Sequence, residues 1–264
     1  MKQTSTLLGL TALVLGCTEY DIIPDPNDYE SDSPDCPTAT PSNYLPELAE
    51  SCVQEPEIGS FHPVIEWQWG ENPENPNYFR VENPPIVANL TDDNGDGEIN
   101  ALDTPDVLVT TMSGSSYTSA GYVVVLSGDT GELLWTGNNY DGAKPWALSG
   151  PAIADVDADG LPDIFVPADK GLLRLTADGE FVWLCDVPTI GGGQSIVTLT
   201  DLEGDGLGEA IVNGAVCNHD GTLRWEASDN SASRYYGAIA ADLDVDGYQE
   251  IIADGTVFNY DGTI

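Results

Sequence analysis

The stretch Asp155-Val-Asp157-Ala-Asp159-Gly160-Leu161-Pro-Asp163 indicates the fold class of this chain. Carboxylates at positions 1, 3, 5 and 9 of a tight turn can converge on one point. A glycine at position 6 permits the sharp bend, and the carbonyl at position 7 turns inward. Hard oxygen ligands in this number favour Ca²⁺ over Mg²⁺, and softer metals would require His or Cys. The alternative is an acidic surface turn that binds no metal.

The acidic pattern occurs four times, and we number the copies loop 1 (92–106), loop 2 (155–163), loop 3 (201–209) and loop 4 (242–250). Loop 1 is longer and follows the EF-hand loop as far as Asp103, where that loop usually has Glu. Asp106 precedes a strand-like run as Asp163 does, so Asp103 and Asp106 both remain candidates for closing this site. We predict about four Ca²⁺ sites. The predicted ligands are Asp92, Asn94, Asp96, Glu98, Asn100, Asp103 and Asp106 in loop 1, Asp155, Asp157, Asp159, Leu161 and Asp163 in loop 2, Asp201, Glu203, Asp205, Leu207 and Glu209 in loop 3, and Asp242, Asp244, Asp246, Tyr248 and Glu250 in loop 4.

Short apolar runs flank each acidic loop and predict buried strands. A third run leads to a tight turn such as Asp178-Gly179, which is a strong hairpin signal. A fourth run carries a tryptophan four residues after the turn glycine, at Trp135, Trp183 and Trp225. Four short strands per repeat, with one large aromatic residue in a fixed place, predict an all-β fold of the β-propeller type.

These residues resemble the FG-GAP or VCBS-type repeats of integrin-α-like β-propellers. The matching elements are residues 151–166, 196–212 and 237–252, and the resemblance covers about residues 84–264. It implies four-stranded blades whose Ca²⁺ ions brace the loops between strands. Loop 1 is also similar to the loops of dockerin modules. The Trp-bearing strands look like pyrroloquinoline-quinone propeller repeats, in blade architecture only.

The two ends of the repeat region, 61–264, leave blade number open. Residues 63–69 resemble the Trp-bearing fourth strand of a blade, with no blade before it, and are a candidate closing strand. At the other end, Asp261-Gly262-Thr263-Ile264 begins a fourth strand and stops before its tryptophan. We favour a chain that is a fragment of a longer propeller. In the alternative, the strand of Trp67 completes the last blade of a small ring.

The N-terminus reads as an export signal. Residues 1–16 combine a charged start with a short apolar run, which is typical of a signal peptide. Val14-Leu15-Gly16-Cys17 resembles a bacterial lipobox, which implies cleavage before Cys17 and lipidation of its thiol. Residues 17–60 are acidic and rich in proline, so we expect an extended tether. The predicted location is the cell envelope, at the outer membrane or surface of a Gram-negative bacterium.

The remaining cysteines, Cys36, Cys52, Cys185 and Cys217, are an even set in an exported chain. This number favours two disulfides with three pairings allowed. Proximity favours Cys36–Cys52 and Cys185–Cys217, and free buried thiols are the alternative.

Composition restricts the function classes. The 264 residues carry a formal net charge of −38, with 7 Lys and Arg against 45 Asp and Glu. Such a surface argues against nucleic-acid binding and against docking on anionic lipid, so membrane contact is expected through the lipid anchor only. This excess of carboxylates repels itself unless cations neutralise it.

We expect a non-catalytic, calcium-stabilised surface module for adhesion or for binding an extracellular glycan or protein. Tyr117, Trp146, Tyr235 and Tyr236 could stack on sugar rings, although packing is their commoner role. The alternatives are a propeller-type polysaccharide lyase or hydrolase, a quinoprotein-like enzyme, or a purely structural repeat of a larger surface protein. The sequence has two histidines, His62 and His219, and no catalytic constellation apart from the metal loops.

Overall fold

The computed structural model describes residues 63–70, 72–73, 75–113, 120–187, 195–227, 237–253 and 255–264. The predicted signal peptide and tether, together with Cys17, Cys36 and Cys52, lie outside these residues. Residues Val64–Ile264 form one unit of the chain. Its regular secondary structure, where described, is entirely β-strand, as the sequence predicts. The described residues contain no helix with the length and apolar character that a membrane span requires.

Within the described residues, sixteen strands form four antiparallel sheets that follow one another along the chain. The first sheet contains β1 (Tyr78–Arg80), β2 (Ile86–Ala88), β3 (Asp106–Ser113), β4 (Tyr122–Leu126) and β5 (Leu133–Gly137). The second contains β6 (Ala152–Ala154), β7 (Asp163–Ala168), β8 (Gly171–Thr176) and β9 (Phe181–Asp186). The third contains β10 (Thr198–Thr200), β11 (Glu209–Val212), β12 (Ala215–Cys217) and β13 (Leu223–Glu226), and the fourth contains β14 (Ile239–Ala241), β15 (Glu250–Ala253) and β16 (Thr256–Phe258).

Within the second, third and fourth sheets each strand pairs with the next along the chain. In the first sheet, β1 and β2 both pair with the long strand β3, at its two ends. The predicted repeat of short strands is therefore present. Among the described residues, no strand pairing joins the fourth sheet to the first.

Consecutive sheets pack face to face, because alternate residues of each strand enter different apolar clusters. In β7, Ile164 and Val166 pack with the first sheet, whereas Phe165 between them packs with the third. In β11, Ala210 and Val212 face the second sheet. Side chains alternate between the two faces of a strand, so a sheet covered on both faces requires a continuous apolar run. This explains why Ile164-Phe-Val and Ala210-Ile-Val show no polar alternation.

A tryptophan joins each sheet to the next. Trp135 of the first sheet donates its indole N–H to the carbonyl of Ala177 in the second, at 2.8 Å. Its ring lies on Gly179, where an added Cβ would come within 2.8 Å of the ring. Trp183 and Trp225 make the equivalent hydrogen bonds to His219 at 3.1 Å and Tyr260 at 3.0 Å. The fixed place of the tryptophan in the repeat is thus an inter-sheet contact.

The segment that contains Trp67 behaves like the last strand of a preceding sheet. Trp67 donates to the carbonyl of Gly128 at 2.8 Å, and its ring lies on Gly131 of the first sheet. The described residues 63–70 form no strand, however, and pair with no strand of the fourth sheet. The predicted likeness of this segment to a Trp-bearing strand therefore holds for its side-chain contact and not for its backbone.

A disulfide provides one covalent link between sheets. Cys185 of β9 and Cys217 of β12 are bonded, with their Cα atoms 6.3 Å apart. Both side chains are fully buried, between the second and third sheets. This is one of the two pairs that proximity favoured in the sequence.

Replacing Gly179 with Ala is expected to destabilise the protein by more than the backbone alone explains. Gly179 and Gly255 both have a φ near +80°, but only Gly179 has a ring against its α-carbon. The left-handed conformation costs a non-glycine residue about 1–2 kcal/mol, and overpacking adds about 1–3 kcal/mol. Chemical denaturation measures the loss in free energy of unfolding. That loss should be about 1–3 kcal/mol larger for Gly179→Ala than for the matched control Gly255→Ala, and equal losses would contradict the contact with the ring.

Removing the disulfide is expected to lower the free energy of unfolding by about 3–4 kcal/mol, because the bond closes a loop in the unfolded chain. Cys185 and Cys217 are separated by 32 residues. The measurement is urea denaturation of the double variant Cys185→Ala and Cys217→Ala against the parent, in oxidising buffer and with reductant. Reductant should destabilise the parent and leave the double variant unchanged.

Candidate metal centres

Each acidic loop connects two consecutive, paired strands: β2 and β3 in the first sheet, and the first and second strands in the other three sheets. In the second, third and fourth sheets, position 1 directly follows a strand and position 9 begins the next one. Asp155 thus follows β6, and Asp163 is the first residue of β7. Antiparallel pairing of the two strands places the ends of each loop side by side. The fold therefore brings position 9 back to the turn that starts at position 1, as the ligand spacing predicts.

The four turns share one hydrogen-bond pattern. In loop 2, Asp155 accepts the N–H groups of Asp159 at 3.2 Å and Gly160 at 2.9 Å. The position-1 carboxylates of the other loops accept the same two N–H groups at 2.8–3.1 Å. The position-5 carboxylate accepts the N–H of position 7 at 2.8–2.9 Å in all four loops. These bonds hold the position-1 and position-5 carboxylates in the concave side of the turn.

The bend predicted at position 6 is confirmed, since its glycine has a φ between +87° and +95° in every loop. A second left-handed residue lies at position 4 of each loop, which the sequence analysis did not predict. Gly95 and Gly204 occupy it in loops 1 and 3, but Ala158 and Val245 adopt φ values of +58° and +63° in loops 2 and 4. A β-branched residue is a genuine outlier there, so Val245 stores backbone strain.

Loop 1 has two carboxylates near its end, Asp103 and Asp106, and they make different hydrogen bonds. At position 9, Asp163, Glu209 and Glu250 each accept the N–H of position 2, at 3.4, 2.9 and 2.7 Å. In the first sheet Asp106 does this, by accepting the N–H of Leu90 at 3.2 Å. Asp103 instead accepts the N–H groups of Asn94 at 3.3 Å and Asn100 at 2.7 Å, within the EF-hand-like turn.

Asn89 is a residue that sequence reasoning missed. It directly follows β2, in the place that Asp155, Asp201 and Asp242 occupy in the other sheets. Its side-chain amide donates to the carbonyl of Asn100, and its Oδ1 atom is buried without a hydrogen-bond partner. The acidic turn that starts at Asp92 is therefore inserted three residues after the strand junction, and the sites of loop 1 and of loops 2–4 are not superimposable copies.

The carboxylates at the first position of the strand after each acidic loop carry an electrostatic cost. Burial raises the pKa values of Asp106, Asp163 and Glu209 above their ordinary range. Hydrogen bonds and, for Asp163 and Glu209, a nearby arginine lower them in part. Asp106 Oδ1 is buried without a hydrogen-bond partner. A cation beside such groups stabilises the folded state, because it offsets the desolvation of the charge.

Two acidic groups have the geometry to hold a metal ion. The ligand atoms of Asp155, Asp157 and Asp163 lie within 4.8 Å of one another, and so do those of Asp242, Asp244 and Asp246. Among the described residues, loops 1 and 3 bring no such group together. In loop 3 the side chain of Glu203 turns to Arg224, at 2.5 Å. The ligand roles predicted for the remaining loop residues, including the carbonyls of Leu161, Leu207 and Tyr248, stay predictions.

The acidic loops of neighbouring sheets are bonded in series. The N–H of Gly208 in loop 3 donates to the carbonyl of Val156 in loop 2 at 2.7 Å. The N–H of Gln249 in loop 4 donates to the carbonyl of Leu202 in loop 3 at 2.9 Å. A small cavity of about 200 Å³ separates loops 2 and 3. Loops 2, 3 and 4 therefore form one acidic row. Repulsion between the carboxylates of one loop is expected to strain the hydrogen bond that joins it to the next loop.

Of the residues considered for other functions, the structure describes Trp146 and His219. Trp146 is half-buried, and its indole N–H is buried without a partner. The carbonyl of His219 accepts the indole of Trp183. Tyr117, Tyr235, Tyr236 and His62 lie outside the described residues.

Solved structures of other proteins are similar to this chain. The chain is similar to the V. cholerae biofilm matrix protein Bap1, with 31% identity and a TM-score of 0.67 over 76% of this chain. The match covers 33% of Bap1, so the chain spans about a third of that protein. No protein-family model matches the sequence. A search of curated proteins gives no match.

Two lyases share the fold at lower similarity. The rhamnogalacturonan lyase YesW and the exotype rhamnogalacturonan lyase YesX each align with a TM-score of 0.50 and 18% identity over 76% of this chain. The alignments cover 44% of YesW and 43% of YesX. At this identity the likeness concerns the fold alone.

Relieving the strain at Val245 is expected to stabilise the protein by about 0.5–1 kcal/mol, since a glycine adopts a positive φ without steric cost. The side chain is 86% exposed, so Val245→Gly sacrifices little burial. The reverse change, Gly204→Val at the same position of loop 3, should destabilise by a similar or larger amount. Thermal unfolding of both variants measures this, and two changes of the same sign would contradict it.

Asp244→Ala is expected to lower stability in millimolar Ca²⁺ and to have little effect in chelator. A ligand in hundredfold excess over its Kd contributes about 2.7 kcal/mol, which sets the size of the loss. Asp261→Ala is the matched control, because its carboxylate accepts only from Thr263 in a turn outside the acidic loops. That variant should lose the same stability in both buffers, and equal losses for Asp244→Ala would remove its metal role.

Proposed function

We propose that this chain is a non-catalytic, calcium-stabilised module of a cell-surface protein, built as a β-propeller of the FG-GAP or VCBS type. Its role is adhesion or the binding of an extracellular glycan or protein. The observation that carries the proposal is the 31% identity to the biofilm matrix protein Bap1 over 76% of the chain. A role in adhesion or binding is compatible with likeness to a biofilm matrix protein, and the envelope location expected from the N-terminus suits that class.

The propeller is supported by the repeated connection between sheets. Four sheets follow one another, stack face to face and are joined by one tryptophan–glycine contact per step. A propeller is built from small antiparallel sheets of about four strands arranged side by side, so this arrangement supports the proposal. A propeller whose sheets close into a ring would need the first and last sheets to meet, and solution scattering or an experimental structure tests this directly.

Calcium is supported by the chemistry of the loops. Their donors are carboxylate oxygens, the ligand type that Ca²⁺ prefers, and two of the loops already hold three carboxylates within 4.8 Å. A net charge of −38 also makes the folded state dependent on cations. The cation's role in this proposal is structural, since it braces the junction between the first and second strands.

The location follows from the N-terminal pattern. We propose that Cys17 carries the lipid anchor and that residues 17–60 hold the folded unit away from the membrane. Cys17→Ser should release the protein from the membrane fraction, as measured by fractionation and by incorporation of labelled fatty acid. Retention of the variant in the membrane would contradict the anchor.

A lyase is the second candidate, and its support is the fold shared with YesW and YesX. Identity of 18% transfers no activity, because one fold hosts many functions. In the described residues the acidic groups stand at strand junctions, bonded to backbone N–H groups, which suits bracing better than proton transfer.

The decisive experiment is a glycan-binding screen of the full chain in millimolar Ca²⁺ and in chelator, with pectic polysaccharides included. We expect binding to a glycan or matrix protein that is lost in chelator together with the thermal shift. Release of unsaturated sugar ends from a polysaccharide would overturn the non-catalytic reading. Glycan binding could be lost in chelator because the protein unfolds or because a cation that bridges protein and glycan is removed. The Asp244→Ala variant separates these two causes, because its melting curve gives the folded fraction at the assay temperature.

A further inference from the structure

Two arginines reach into the acidic loops of the second and third sheets. Arg174 lies on β8 with a side chain that is 8% exposed. Its Nη2 atom is 2.5 Å from Asp157 Oδ2 and 2.7 Å from Asp163 Oδ1, which are positions 3 and 9 of loop 2. One cationic nitrogen thus joins two of the three carboxylates that could hold a metal there. Its Nη1 atom also donates to the carbonyl of His219, at 3.4 Å.

Loop 3 has the same bridge from a different strand. Arg224 lies on β13, and its Nη2 atom is 2.5 Å from Glu203 and 3.6 Å from Glu209, again positions 3 and 9. Its Nε atom donates to Asn218 Oδ1 at 2.8 Å, which fixes the guanidinium. Since the two arginines occupy different places in their repeats, they are not copies of one motif. They have in common only the pair of carboxylates that they neutralise.

Loops 1 and 4 have no such bridge in the described part of the chain, where the ion pairs that reach a loop carboxylate are those of Arg174 and Arg224. By strand register, Val125 in the first sheet and Val257 in the fourth take the place of Arg174. In loop 4 the carboxylates of Asp242, Asp244 and Asp246 converge while remaining exposed.

We propose that Arg174 and Arg224 take the place of the divalent cation in loops 2 and 3, so that of the four predicted Ca²⁺ sites only those of loops 1 and 4 are left for metal. This inference rests on the proposed calcium role of the loops. A Ca²⁺ ion lies about 2.3–2.6 Å from its carboxylate oxygens. Each arginine Nη2 atom already lies 2.5 Å from the position-3 carboxylate, and 2.7 Å (Arg174) or 3.6 Å (Arg224) from the position-9 carboxylate. A metal ion bound to the same carboxylates would be repelled by the guanidinium. Guanidinium pairs well with carboxylates and never loses its charge.

The test is the number of Ca²⁺ ions bound by the full chain, from equilibrium dialysis and titration calorimetry. Position 1 is the matched site for substitution, since its carboxylate makes the same backbone hydrogen bonds in each loop. The parent should bind two ions. Asp92→Asn and Asp242→Asn should each remove one, whereas Asp155→Asn and Asp201→Asn should leave the number unchanged.

Opening the bridge should create a site. Arg174→Met keeps much of the apolar stem and removes the charge, so the variant is expected to bind one more ion than the parent and to gain a larger thermal shift from Ca²⁺. If this variant fails to fold, the position-1 series still decides. Loss of an ion in Asp155→Asn or Asp201→Asn overturns the inference and leaves the calcium role intact. A parent that binds no Ca²⁺ overturns both.

Discussion

The contact of an indole with a glycine on the next sheet underlies the rest of the structure. Trp135 needs both a carbonyl within hydrogen-bond distance and an α-carbon without a side chain, and Gly179 provides the second. Because the contact recurs between consecutive sheets, it sets their spacing. That spacing lets Ile164 and Phe165 pack in opposite directions, and it brings each acidic loop beside the next. An apolar core that depends on stacking in this way grows one sheet at a time.

In the acidic loops, the burial of carboxylates opposes their negative charge. A carboxylate that begins a strand, such as Asp163 or Asp106, is removed from water while many like charges stand nearby. Backbone N–H groups offset part of the cost, and a nearby cation offsets more of it. Arg174 and Arg224 provide such a cation in loops 2 and 3, and we propose that ions from solution provide it in loops 1 and 4. Because backbone hydrogen bonds link loops 2, 3 and 4, we expect an ion bound in loop 4 to matter for the stability of all three loops.

The likeness to both Bap1 and two lyases shows that proteins of different function share this architecture, so the architecture alone does not indicate an activity. One stacked β-fold is shared with a biofilm matrix protein at 31% identity and with rhamnogalacturonan lyases at 18%. The fold provides rigid strand junctions, and chemistry would have to come from residues added on it. In this chain the polar groups at those junctions are committed to holding the loops, which is the physical reason for proposing attachment rather than catalysis.

The amino-acid sequence by itself determined the all-β class, the repeat and the bend at the position-6 glycine, because each follows from local pattern or spacing. It favoured the pairing of Cys185 with Cys217 by proximity and left the other pairings open. It could not reveal Arg174 and Arg224 as partners of the loops, since they stand on different strands and meet their carboxylates only when the sheets form. The sequence also could not reveal the hydrogen bonds of Asn89, or the different hydrogen bonds of Asp103 and Asp106, because the insertion in loop 1 breaks its alignment with the other loops. Ring packing, ion pairs and burial depend on residues far apart in the chain, and only the tertiary structure decides them.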